Sequence, residues 1–113
     1  MSSGGDLQPH VLAAIDTYFD GDRDFYQVFL ASSVEQFSAD LKAGDDACAA
    51  GDAATLRRTA HSLKSVLLTL GYADHSVCAK GVELAAQQAP WEQAVAGWGD
   101  LRQRMVQTFD LPL

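Results

Sequence analysis

Basic residues are scarce in this sequence and never run beyond the pair Arg57-Arg58. Eight Lys and Arg stand against 15 Asp and Glu in 113 residues, a formal net charge of −7. Without a Lys/Arg run to track a phosphate backbone, nucleic-acid binding is not expected. An anionic membrane surface is not expected either. Cysteine is rare too. Cys48 and Cys78 lie far apart with no CxxC, so a disulfide framework is excluded and two packed thiols in a reducing compartment are expected. No apolar stretch approaches the roughly 20 residues of a membrane span. Met1-Ser2-Ser3-Gly4-Gly5 carries neither the basic nor the apolar part of a signal peptide. No GxGxxG or GxxxxGK[ST] occurs, which leaves ATP binding without support. The expectation is a cytoplasmic protein with a flexible leader over residues 1–8 and one domain over 9–113.

What is present is helical periodicity. The hydrophobic fraction of 48% can fill a core, and strand-like alternation is missing. Pro9, tolerated in a first turn, opens a helix to about Phe19, with Val11, Leu12, Ile15, Tyr18 and Phe19 as its apolar set. A second helix starts near Asp22 to Asp24 and runs to about Ala43. Its apolar residues are Phe25, Val28, Phe29, Val34, Phe37 and Leu41. Gly44 is expected to end it, with Asp45 to Ala50 as a further turn. Gly51-Asp52 reads as stop and cap before a third helix, Ala53 to Leu70, with Gly71 just past its end. Asp74 is expected to cap a fourth, about His75 to Gln88. Pro90 begins the fifth, carrying Trp91, Val95, Trp98, Leu101, Met105 and Phe109. Short connections make successive helices antiparallel. The fold class is all-α: an antiparallel four-helix bundle with an additional short N-terminal helix.

The third helix has two unlike faces. At about 100° per residue, Leu56, Ala60, Leu63, Leu67 and Leu70 form one apolar stripe opposite His61. Arg57, Lys64, Ser65 and Leu68 fall within about 60° of His61, and Tyr72 lies near the same line if the last turn persists. No acid occurs between Leu56 and Tyr72, so this outward face is locally positive on an acidic chain. Such a face suits a phosphorylated imidazole. Neutral imidazole is a nucleophile near pH 7, Lys64 at i+3 can neutralise part of a phosphoryl charge, and Leu68 and Tyr72 offer a partner apolar contact. An exposed histidine on a helix is more often an ordinary surface residue, and periodicity alone does not decide between the two.

Ala60-His61-Ser62-Leu63-Lys64, followed by Leu70-Gly71, resembles the signature of histidine-containing phosphotransfer (HPt) domains. Phe29-Leu30, Gly51-Asp52 with Leu56, and the segment from Cys78 to the acidic Glu83 fit the same pattern, so the resemblance spans roughly Phe25 to Phe109. It implies a four-helix bundle with a capping helix that carries a phosphoryl group on His61. Lys64 would help to hold that group, and the domain would have no kinase activity of its own. The implied partners are receiver domains of response regulators, a hybrid histidine kinase, or both. The implied magnesium is supplied by the receiver, and this chain binds no cofactor. A monomer is expected, because one helix face must stay free. One departure stands out: the position after the lysine is usually glycine and is Ser65 here. Serine is small, and its hydroxyl could bond the ring or the phosphoryl group, slow transfer, or restrict partners.

Other candidate sites are weak. His75 and Cys78, three apart, could share a metal but lack a third ligand, so no metal site is expected. Ser62 points about 100° from His61, poor geometry for a nucleophile and base. Arg57 shares the His61 face and would complement an acidic receiver surface; a solvated arginine explains it equally well. Two further readings compete with a phosphorelay carrier. One is a helical interaction module that binds a signalling partner through Leu68 and Tyr72 without phosphate chemistry. The other is a small helical enzyme or metal-binding bundle, whose expected Glu-x-x-His pattern is absent.

Overall fold

The computed structural model describes residues 7–112. The chain forms α1 (Pro9–Tyr18), α2 (Arg23–Ala50), α3 (Ala53–Leu70), α4 (Ala73–Gln88) and α5 (Trp91–Phe109), with no strand among the described residues. Helices α2 to α5 pack in sequence and α5 returns to α2, closing the expected bundle, while α1 lies against α3. At about 1.5 Å per residue the 28-residue α2 accounts for most of the 47 Å long axis. Residues 1–6 of the expected leader, and Leu113, lie outside the described residues. Leu7 packs on the core and Gln8 is the N-cap of α1.

Local chemistry fixes the helix ends. Asp22 accepts a hydrogen bond from the Phe25 amide at 3.0 Å, and Asp52 accepts one from the Thr55 amide at 3.1 Å. Each satisfies an otherwise orphaned first-turn donor. Gly71 takes φ +99°, with its amide bonded back to Leu67 and Leu68. A side chain there would also collide with the His10 carbonyl, 2.6 Å from an added Cβ. The inward stripe of α3 is as expected: Leu56, Ala60, Leu63, Leu67 and Leu70 are all essentially inaccessible.

The structure departs from the sequence reading at several points. Helix α2 does not end at Gly44 but continues to Ala50. Gly44 is buried under the Trp98 indole, and an added Cβ would lie 2.0 Å from Trp98 Cζ2. Next to it, Asp45 accepts hydrogen bonds from Trp98 Nε1 at 2.8 Å and Arg102 Nε at 3.0 Å. This glycine therefore serves packing between α2 and α5 and does not stop the helix.

The buried stripe of α2 runs through Tyr26, Ser33, Phe37 and Leu41. That register leaves Phe25 and Val28 exposed. Tyr26 is buried instead, and its hydroxyl donates to the Leu70 carbonyl at 2.6 Å. Burial pushes the Tyr26 phenol up to about 12. Tyr18 and Val95 are also more exposed than expected, with Ala14 and Ala94 taking the inward positions. Helix α4 begins at Ala73 with Tyr72 as its N-cap, so Asp74 lies in the first turn and is not the cap.

Gly44→Ala sets two magnitudes against each other. Replacing an interior helical glycine by alanine should gain about 1 kcal/mol of propensity. Overpacking a filled site typically costs about 1–3 kcal/mol, and a 2.0 Å approach to a rigid indole lies at the upper end. The expected result is net destabilisation, read as a lower denaturation midpoint. A midpoint equal to or above wild type would mean that Trp98 can move aside.

Candidate functional site

The site is built on the α3–α4 hairpin. Ala60 and Ala79 are both fully buried, and side chains this small let the two helices approach closely. The tight Gly71 turn sets the register, so residues about equally far before and after it stand opposite one another. His61 precedes Gly71 by ten residues and Glu83 follows it by twelve. The two meet: His61 Nδ1 lies 2.8 Å from Glu83 Oε2. The other carboxylate oxygen, Oε1, accepts from Lys64 Nζ at 2.9 Å. The Glu83 side chain is only 14% exposed, whereas that of His61 is 60% exposed.

The electrostatics follow from this geometry. The Lys64 hydrogen bond, helped by that of His61 and opposed by burial, holds the Glu83 carboxyl below the usual carboxylate range. Glu83 is therefore ionised near neutral pH and can only accept. The contact then requires the His61 proton to sit on Nδ1. In the neutral ring Nε2 is left with its lone pair free, on an imidazole open to solvent. An orienting carboxylate behind an imidazole is the arrangement that fixes tautomer and ring position in hydrolytic triads. Here the same contact leaves Nε2 of His61 as the unprotonated nitrogen of the neutral ring.

The other predicted residues fall into two groups. Arg57, Ser65 and Leu68 are exposed on α3, on the His61 face. The Ser65 carbonyl accepts from Thr69 Oγ1 at 2.9 Å. Leu68 borders a shallow apolar groove against α1, lined by Ala13, Ala14, Thr17 and Tyr18. Tyr72 does not share that face. Helix α3 stops at Leu70, and the left-handed Gly71 redirects the chain. Tyr72 is half-buried, packed on the His10, His75 and Phe109 rings at centroid distances of 4.9, 5.5 and 5.0 Å. His75 is taken up by Thr108 Oγ1, 2.7 Å from its Nε2. Burial, seconded by the nearby Arg104, pushes its imidazole below the usual range.

Glu83 is the residue that sequence reasoning did not place in the site. It stood at the end of a recognised segment, and its distance from the Gly71 turn was the available signal.

The chain is thus a helical bundle whose exposed histidine is oriented by a carboxylate. Residues 24–109 match the family model of the Hpt domain. The chain belongs to that family. Its domains are phosphocarriers, not kinases, and serve the histidine phosphotransfer of two-component phosphorelays together with receiver and kinase domains. No curated protein and no solved structure matches the chain. Among the described residues no helix is long and apolar enough to cross a membrane, and no group of three or more His, Cys, Asp and Glu side chains is placed to hold a metal.

The depressed Glu83 pKa gives the site a signed pH dependence. Because its folded value lies below the ordinary 4.5, the stabilisation from its ionic contacts is complete above that value. It is lost as pH falls through the folded value. Wild type should exceed Glu83→Gln in stability at pH 7, with the difference shrinking towards zero between about pH 5 and pH 3. Urea denaturation across that range checks it. An undiminished difference at pH 3 would assign the contribution to packing.

Proposed function

We propose that this domain accepts a phosphoryl group on Nε2 of His61 and exchanges it with an aspartate of a receiver domain. The observation that carries this reading is the Glu83 bridge, which accepts from Nδ1–H, holds the ring proton on that side and leaves the other nitrogen as the nucleophile of an exposed ring. The receiver's aspartyl phosphate is an acyl phosphate. The Nε2 lone pair attacks phosphorus in line, the phosphorus–oxygen bond to aspartate breaks, and the carboxylate leaves with the electron pair. No proton needs to be removed, because Nε2 carries none. The ring becomes a phosphorylated imidazolium that keeps its Nδ1 proton, and the Glu83 carboxylate balances the new positive charge.

Lys64 has the second role. Its side chain is 28% exposed and its ammonium is held by Glu83. It lies one helical turn from His61, within reach of a phosphoryl oxygen. In the unmodified state the Lys64–Glu83 contact neutralises both groups, and a phosphoryl group would compete for the lysine. The charge on the transferring group is otherwise met on the receiver's side, where that partner supplies magnesium. The reverse step uses the same atoms, which suits a carrier that receives and donates.

Docking falls on the His61 face of α3. Leu68 lies two turns from His61 and, with Tyr18 across the α1 groove, gives a receiver an apolar footing. Arg57 supplies positive charge to an acidic partner. Tyr72, turned into its aromatic cluster, contributes by shaping that end of the bundle. Ser65 borders the histidine on the approach side and is the position most open to influencing partner choice.

Incubation with a phosphorylated receiver domain and magnesium is the direct test. Wild type should acquire acid-labile, base-stable phosphate, and His61→Gln should acquire none. Lys64→Ala should slow uptake about tenfold, the order expected for one charge-assisted contact. Leu68→Asp should weaken receiver binding and leave the helical spectrum unchanged. If a folded wild type takes no phosphate from any receiver yet binds one through the Leu68 face, the domain is an interaction module.

A further inference from the structure

We infer that Ser76 is a positioning residue for the phosphoryl-accepting histidine. The inference rests on the reading of His61 given above and concerns what holds the Glu83 bridge in register.

Ser76 is one of only two buried polar residues among those described, at 6% exposure. Its Oγ donates to the Lys64 carbonyl at 2.8 Å. That carbonyl lies in the middle of α3, where the ordinary helical bond already supplies a partner. Burying a hydroxyl to bond it is therefore not explained by a need of α3. The hydroxyl must itself find a partner once buried, and the one it has belongs to the neighbouring helix.

Its place along α4 gives the bond a consequence. Ser76 and Glu83 are seven residues apart, two turns and about 20° of rotation, so they share one flank of α4. Through that flank α4 holds Lys64 at both ends, the carbonyl by Ser76 Oγ and the ammonium by Glu83 Oε1 at 2.9 Å. The same carboxylate reaches His61 Nδ1 at 2.8 Å. Three contacts across one helix pair bear on sliding and rotation of α3 against α4. Two of them end in flexible side chains and do not resist a shift. The Ser76 contact joins a short side chain to backbone and does. Ala60 and Ala79 are fully buried, and side chains this small let the two helices lie close enough for the Ser76 hydroxyl to reach the Lys64 backbone. Ser76 supplies the stop. With it in place, Lys64 can leave Glu83 for a phosphoryl group by side-chain motion alone.

The test reads the imidazole tautomer by long-range ¹H–¹⁵N correlation at about pH 8.5, above the ordinary imidazole range, alongside the rate of phosphoryl uptake. Wild type should show Nδ1 protonated. Ser76→Ala should populate the Nε2-protonated form and slow uptake about two- to tenfold, the equivalent of one net hydrogen bond. Ser76→Cys keeps the side-chain shape with a slightly larger atom and a much weaker donor and should behave like Ser76→Ala. Phe37→Leu, a core change on α2, lowers stability for unrelated reasons and should leave the tautomer as in wild type. An unchanged tautomer in Ser76→Ala would overturn the proposal, and so would an equal change in Phe37→Leu. If wild type takes up no phosphate while Ser76→Ala still shifts the tautomer, the positioning role stands and the phosphocarrier reading falls.

Discussion

The left-handed turn at Gly71 sets the geometry on which the other features depend. With φ at +99° and the His10 backbone where a side chain would begin, the chain reverses within two residues and lays α4 back along α3. In such a hairpin, position along one helix determines the opposite position on the other. His61, Lys64, Ser76 and Glu83 are brought together by counting from this turn, and no loop or distant segment takes part. The buried Tyr26 hydroxyl, bonded to the Leu70 carbonyl, ties the same turn to α2. The site thus rests on two regular helices, whose backbone positions are better fixed than those of a loop.

Charge distribution makes the second constraint. A chain of net charge −7 would repel a phosphoryl group wherever its acids were evenly spread. Helix α3 carries no acid from Leu56 to its end, and among the described residues the carboxylate that bonds His61 and Lys64 comes from α4. Glu83 lies behind the ring, paired with Lys64 and largely covered. Its charge acts on Nδ1, where a proton is wanted, and is partly neutralised toward the side where a phosphoryl group would lie. A carboxylate free on the Nε2 side would oppose transfer by Coulomb repulsion with the same ligand.

The sequence made the α3 stripe and the His61 face legible because both depend only on 3.6-residue periodicity within one helix. Gly51-Asp52 and Gly71 were legible because caps are local chemistry. What periodicity within one element cannot supply is rotation relative to a neighbour. Phe25 and Val28 looked like core residues, yet the register of α2 turned Tyr26 inward and left them exposed. Gly44 looked like a stop because nothing nearby in sequence announces Trp98, 54 positions on. Tyr72 was placed on the His61 face by extending a helix that Gly71 ends. Glu83 was passed over for the same reason: its role exists only across the hairpin.

Ser65 shows how the two constraints meet at one position. The residue that follows the lysine projects beside the imidazole, so a large side chain there would crowd a partner approaching Nε2. Glycine avoids crowding completely but costs an exposed helix about 1 kcal/mol relative to alanine. It would do so in the segment whose rigidity keeps His61 and Lys64 aligned with Glu83. Serine recovers roughly half of that propensity and adds only a hydroxymethyl group. In this chain Ser65 is exposed, and Thr69 Oγ1 bonds its carbonyl one turn on, a contact that bends helices slightly. Serine at this position thus combines a small side chain beside the ring with a better helix former than glycine.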